Sequence, residues 1–163
     1  NIEEIMVSPM PVSVIILGFA SGGMFRGLLN GFIIFITIGM FKEIDIYLIH
    51  IAIVISIVTA IFFAIIGIIT AIFAKSFDDL FWFPQFILTP MVYLGGIFFS
   101  IEMLPDNFKF IAKLNPIYHF VNIFRYNVLG VGHWNLIVLF NIIAIAIVLF
   151  YLAIVAFKHK MQK

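Results

Sequence analysis

Few side chains in this sequence are placed to do chemistry. Between Val12 and Phe41 the one formal charge is Arg26, set among Gly18, Gly22, Gly23, Gly27 and Gly31. An arginine inside apolar sequence is costly at membrane depth and reads first as functional. Residue 26 falls about 21 Å along a helix that begins at Val12. It either lines a path through the membrane, with Asn30 one turn further on, or snorkels to headgroups from a stretch whose first residues, to about Phe19, lie along the surface. Gly23, Gly27 and Gly31 recur at every fourth residue, a ridge that lets another helix approach closely. A phosphate cradle would need Lys-Ser/Thr after the glycines, and Met24 follows Gly23 instead. No H-E-x-x-H, G-x-S-x-G, P-loop or pair of intramembrane carboxylates is present. His50, His119, His133 and His159 lack metal-ligand spacing, and with no cysteine the chain has no disulfide or thiolate chemistry. Catalytic residues, cofactors and metals are therefore expected to be absent from this chain. The apolar runs hold no acidic residue, which argues against a proton- or sodium-coupled carrier.

The elements that position these residues follow from composition. The 163 residues are 64% hydrophobic and 10% charged, against roughly 45–50% and about 25% for a soluble domain, and mean hydropathy is +1.24. A soluble domain, a disordered tail and a nucleic-acid binder are excluded. A net charge of +1 names no electrostatic partner. Four apolar runs, about 12–41, 50–74, 80–101 and 134–157, each reach the roughly 20 residues a bilayer span needs. They are expected to be helical, because lipid cannot satisfy open backbone groups. The fold class predicted is all-α: a polytopic membrane helical bundle of four transmembrane helices plus an external re-entrant helical hairpin. Lys158, Lys160 and Lys163 close the chain and Lys75 falls on the same side, so that side is expected to be cytoplasmic. Lys42, Lys109, Lys113 and Arg125 fall opposite. The chain begins at Asn1 with no secretory signal, and is read as a piece of a longer membrane protein.

The segment from Glu102 to Trp134, which holds the hairpin expected over 103–130, is too apolar for a solvent loop and too interrupted for a span. Leu104-Pro105-Asp106 starts a helix, with Asp106 as cap. Phe108, Ile111 and Ala112 share one face of it, and Lys109 and Lys113 another. Asn115-Pro116 starts a second helix, Asn capping and Pro suiting the first turn. Ile117, Phe120, Val121, Phe124 and Val128 form its apolar stripe, His119, Asn122 and Tyr126 lie off it, and Gly130 stops it. Two helices too short to cross make either a hairpin dipping into the outer leaflet or a surface loop. Arg125 is expected to find a partner, Glu102 or lipid headgroups. In the third run Pro84, Thr89-Pro90 and Gly95-Gly96 make a bendable helix, a gate or a static kink. Trp82, Trp134 and Tyr151 near span ends suit interfacial anchors. Glu3 to Pro11 is a short acidic helix stopped by two prolines, either a solvated lead-in or a docking segment.

Together these segments resemble the membrane subunit of type-2 ATP-binding-cassette (ABC) exporters, of the bacterial drug-resistance and nodulation-factor or polysaccharide export kind. The resemblance rests on Glu3-Glu4-Ile5-Met6-Val7-Ser8-Pro9-Met10-Pro11 before a Gly-rich span with Arg26-Gly27. It continues in Thr89-Pro90-Met91-Val92-Tyr93-Leu94-Gly95-Gly96-Ile97-Phe98-Phe99-Ser100, closed by Met103-Leu104-Pro105. Leu114-Asn115-Pro116-Ile117-Tyr118-His119 leads on to Phe124-Arg125-Tyr126 and Leu129-Gly130. It implies that the chain is the last four spans of a six-span domain. Residues 1–11 would be a coupling helix, with Glu3, Glu4, Met6, Ser8 and Pro9 contacting the ATPase. The path or gate would involve Arg26, Asn30, Thr89, Pro90, Gly95, Gly96, Pro105, Asn115, Pro116 and Arg125. ATP and magnesium would belong to a separate ABC ATPase subunit, and the permease would pair with a second copy in the bacterial inner membrane. A non-transporting scaffold and an integral-membrane enzyme remain as alternatives. The enzyme would need a polar cluster that only Glu102, Asn115, His119, Asn122 and Arg125 could supply.

Overall fold

A computed structural model describes residues 10–41, 48–98, 101–131 and 135–161. Among them every regular element is helical. The α-helices are α1 Val12–Phe41, α2 Ile49–Phe73, α3 Phe77–Phe83, α4 Thr89–Leu94, α5 Asp106–Leu114, α6 Pro116–Leu129 and α7 Leu136–Met161. A π-helical turn, Pro84–Leu88, joins α3 to α4, and a short 3-10 turn, Ile101–Met103, precedes α5.

Isoleucine, valine and threonine crowd α2, residues that favour helix little in water. In an apolar surrounding the choice is different, because the helix alone satisfies every backbone group within the segment. Its hydroxyls follow suit: Ser56, Thr59 and Thr70 each donate to the carbonyl four residues back, at 2.7–2.9 Å. Leu48 offers no side-chain cap. Its N–H donates instead to the Asn127 carbonyl of α6 at 2.8 Å.

α2 is the centre of the bundle and packs against α1, α6 and α7. Gly23 of α1 faces Ala64, where an added Cβ would stand 2.9 Å from the Ala64 Cβ, and Gly27 faces Ala60 at 3.5 Å. The two helices run antiparallel, and at Gly31 they have parted, leaving open space. The small-residue ridge thus finds its partner inside this chain for two of its three steps. One core cluster joins Ile55 and Phe62 of α2, Phe120 and Ile123 of α6 and Ile142 of α7. Phe62, Phe63 and Phe120 meet there with ring centroids 5.3–6.0 Å apart, a separation suited to edge-on packing. A second cluster joins Ile16, Ile65 and Ala153 of α1, α2 and α7.

Three helices, α1, α2 and α7, are long and apolar enough to cross a membrane among the described residues. Their bounds fall close to the expected runs. The run expected over 80–101 instead begins at Phe77 and ends at Leu94, with the π turn inside it. It starts early because Ser76 caps it: the Asp79 N–H donates to Ser76 Oγ at 3.3 Å, while Asp79 Oδ2 accepts from the Ser76 N–H. It turns at Gly95 and Gly96, the latter with φ 75°. α1 is unbroken from Val12 to Phe41, so no separate surface stretch precedes Arg26, which lies near its middle. Trp82 and Tyr151 are exposed; Trp134 lies outside the described residues.

Candidate functional site: the junction of the interrupted helix and the hairpin

The break has a local cause. Pro90 has no N–H to give the Phe86 carbonyl, and its ring crowds that carbonyl in a regular helix. A π turn widens the backbone at this point: the Thr89 N–H donates to the Pro84 carbonyl, five residues back, and Thr89 Oγ1 donates to the same oxygen at 3.0 Å. The last turn of α4 then tightens, and the Gly95 N–H donates to Val92 rather than to Met91. The Met91 carbonyl is released.

The start of α6 takes it up. Asn115, 6% exposed, uses both ends of its amide. Oδ1 accepts from the Ile117 N–H at 3.0 Å, capping α6, and Nδ2 donates to the Met91 carbonyl at 2.6 Å. Ile117 then lies so close to Gly95 that a Cβ added there would stand 2.6 Å from its Cγ2. Two turns on, Arg125 Nη2 donates to the Gly96 carbonyl at 3.0 Å. The far end of α6 is held by Asn127, fully buried, whose backbone accepts from Leu48 and whose Nδ2 donates to the Ile123 carbonyl at 2.7 Å. Asn127 Oδ1 has no partner among the described residues.

The expected path residues therefore divide. Gly95, Gly96, Asn115 and Arg125 meet at one junction, and Pro116 opens α6 beside it. Thr89 and Pro90 shape the break but are exposed, and the Thr89 hydroxyl is turned onto its own helix. Arg26 and Asn30 are exposed on α1 and take no part in these hydrogen bonds. Pro105 directly precedes α5. Asp106, expected as the cap of α5, is instead its first helical residue; its carboxylate is 2.9 Å from Lys109 Nζ, and that cation holds it below the usual carboxylate range. Glu3, Glu4, Met6, Ser8 and Pro9 lie outside the described residues.

Asn115 as cap and Gly130 as left-handed stop, φ 68°, stand as expected. The apolar stripe of α6 stands in part: Ile117 and Phe120 face the core, joined there by Ile123 and Asn127, whereas Phe124 is exposed. Sequence reasoning also missed the Met91 carbonyl as a receiver, for which the Pro90-to-Gly95 spacing is the available signal. It missed the Ser76–Asp79 cap, legible as S-x-x-D before an apolar run.

The profile described as "ABC-2 type transporter" matches residues 1–129. The Escherichia coli (strain K12) "Inner membrane transport permease YadH" is 38% identical over 152 residues, which is 93% of this chain and 59% of that protein. "Nodulation protein J" of Rhizobium leguminosarum bv. viciae is 28% identical over 103 residues, 63% of this chain and 40% of its own length. The Rhizobium meliloti (strain 1021) protein of that name is 28% identical over 72 residues, 44% of this chain and 28% of its own. No solved structure matches the chain.

Proposed function

This chain belongs to the ABC-2 type transporter family, and on that premise we propose that it is the C-terminal, four-span part of the permease subunit of an ATP-driven exporter. It is a multi-pass inner-membrane protein. Its cargo is drug-, lipid- or polysaccharide-like. ATP and magnesium are handled by a separate ABC ATPase, which pushes on residues 1–11, and the permease pairs with a second copy. The chain itself does no covalent chemistry. The composite helix Phe77–Leu94 serves as the third span, and both ends face the cytoplasm.

One observation carries the mechanism: where the interrupted helix ends, the carbonyls of Met91 and Gly96 are taken by two side chains of the next helix pair, Asn115 and Arg125. A re-entrant placement of α5 and α6 is supported by Phe120, which packs on Phe62 about 20 Å into α2. The two bonds latch the hairpin to the interrupted helix. Closure of the ATPase at the opposite face shifts the bundle between two packings, and the latch makes the outer end of that helix and the hairpin respond as one.

The test uses the full-length permease co-expressed with the ABC ATPase encoded beside it. Co-purification, and ATP hydrolysis that changes on reconstitution with the permease, are the expected results. A permease that enters the membrane normally and associates with no ATPase would overturn the reading. Sidedness is tested separately in this cysteine-free sequence: D106C should label from outside and F77C should not.

A further inference from the structure

We propose that Arg26 is the ligand for an oxyanion, a phosphate, sulfate or carboxylate, on an amphiphilic cargo that reaches α1 from within the bilayer. This rests on the permease reading and narrows its cargo class. Arg26 lies about 21 Å from the start of α1, a helix about 45 Å long. A helical side chain leans over the turn before it, which for Arg26 is the turn of Gly22. The guanidinium therefore stays well inside a hydrocarbon layer about 30 Å thick, too deep to snorkel to water.

No carboxylate of this chain answers that charge. Among the described residues Arg26 makes no hydrogen bond or ion pair. The chain has eight acidic residues, and none falls within its four apolar runs. A second copy of the chain brings the same sequence, and so no carboxylate at this depth either. An unpaired arginine there is costly. An arriving oxyanion removes that cost, so the site favours cargo that carries one.

The surface around Arg26 has room for such a ligand. Gly18, Gly22, Arg26 and Asn30 recur at every fourth residue, on a ridge of α1 next to the one through Gly23 and Gly27 that packs on α2. A Cβ added at Gly18 or Gly22 would meet nothing within 4 Å, so the cation overlies an open trough. Asn30, exposed one turn further out, adds an amide donor. The planar guanidinium can donate to two oxygens of one oxyanion at once. Phe25, Leu29 and Ile33 are exposed beside the ridge and give the hydrocarbon part of the ligand an apolar surface.

The experiment measures binding of radiolabelled hexadecyl phosphate to the full-length permease in phosphatidylcholine nanodiscs, with empty nanodiscs as background. Wild type should bind it, and hexadecyl sulfate should compete. Hexadecyltrimethylammonium and millimolar inorganic phosphate should not. R26Q should bind roughly tenfold more weakly, the scale of one charge-assisted hydrogen bond, with an unchanged melting temperature. R26K should recover part of the binding, because an ammonium lacks the planar fork, and K158A should match wild type. In the complex with the ATPase, hexadecyl phosphate should stimulate ATP hydrolysis with wild type and not with R26Q. Equal binding by wild type and R26Q, or competition by the cationic amphiphile or by free phosphate, would overturn the site. A lower melting temperature in R26Q would mean that the arginine is paired within the full-length protein, and would overturn it too. Binding without stimulation would make the ligand a resident lipid and overturn its role as cargo. A permease that associates with no ATPase fails the permease reading instead, and the binding measurement, which uses none, still decides the site.

Discussion

Lys160 donates from the last turn of α7 to the carbonyl of Ile72, 2.6 Å away and 88 residues earlier in the chain. Ile72 lies in the final turn of α2, whose carbonyls have no helical partner. The ammonium fills that vacancy and sits at the negative end of the helix dipole. K160A should lower the melting temperature in detergent by a few degrees, reflecting about 1 kcal/mol. K158A, at an exposed neighbour, should not. Equal melts for the two variants would remove the clamp from the account.

Asn115 can be dissected because its two bonds use different atoms. N115D keeps an oxygen to cap Ile117 and loses the donor to Met91. N115A loses both, at a cost of about 1 kcal/mol for the cap and roughly 1–3 kcal/mol for the stranded carbonyl. Transport should fall in both variants, further in N115A, with expression less affected. If N115D transports as wild type, the bond to Met91 is dispensable and the latch fails.

Gly95 and Gly96 are required for different reasons, and one double variant separates them. G95A drives a methyl into Ile117 Cγ2 and to 3.0 Å from the Met91 carbonyl, so I117A, which relieves the first contact alone, should restore part of the lost stability. G96A places a Cβ on a residue with φ 75°, a strain of about 1 kcal/mol or more that no neighbour relieves. Rescue of G96A by I117A would contradict this division.

Arg125 reaches a single carbonyl with one nitrogen. R125A should destabilise the permease in detergent. R125K should recover only part of the loss, because an ammonium lacks the planar fork of the guanidinium. Wild-type transport and stability in R125A would leave the hairpin tied by Asn115 alone.

The Asp79 carboxylate accepts from the Lys75 and Ser76 N–H groups and closes the capping box at the start of α3. D79A should lower the melting temperature in detergent by a few degrees, because the first turn of α3 loses its reciprocal cap. D78A, at the exposed neighbouring carboxylate, should not. Equal melts for D79A and D78A would contradict the cap.

How far the sequence reveals this arrangement depends on what hydrophobicity can distinguish. The ends of α1, α2 and α7 were legible because charges, prolines and lysines bound long apolar runs. Asn115 and Gly130 were legible because capping depends on residue type and local conformation. The buried face of α6 was not. Lipid tails are as apolar as a protein core, so hydrophobicity cannot tell the face packed on α2 from the face left for the bilayer. Phe124 belongs to the apolar stripe and is exposed, while Asn127, a polar residue, is fully buried. The gathering of Asn115 and Arg125 on freed carbonyls was hidden as well, because the acceptors are backbone atoms and carry no signature of their own.

The π turn also does something that concerns counting rather than bonding. A turn closed five residues back holds one residue more than a turn closed four back. Every side chain from Thr89 to Leu94 is therefore rotated by about 100° from where an uninterrupted α-helix begun at Phe77 would aim it. Met91 and Gly95 meet α6 because of that offset. Between Gln85 and Leu88 the structure is consequently sensitive to length more than to chemistry. Most substitutions there change a surface. Addition of one residue would turn the docking face about 100° away from the hairpin, while removal of one would let the helix close regularly and keep that face aimed as it is, with every residue of the latch still in the sequence.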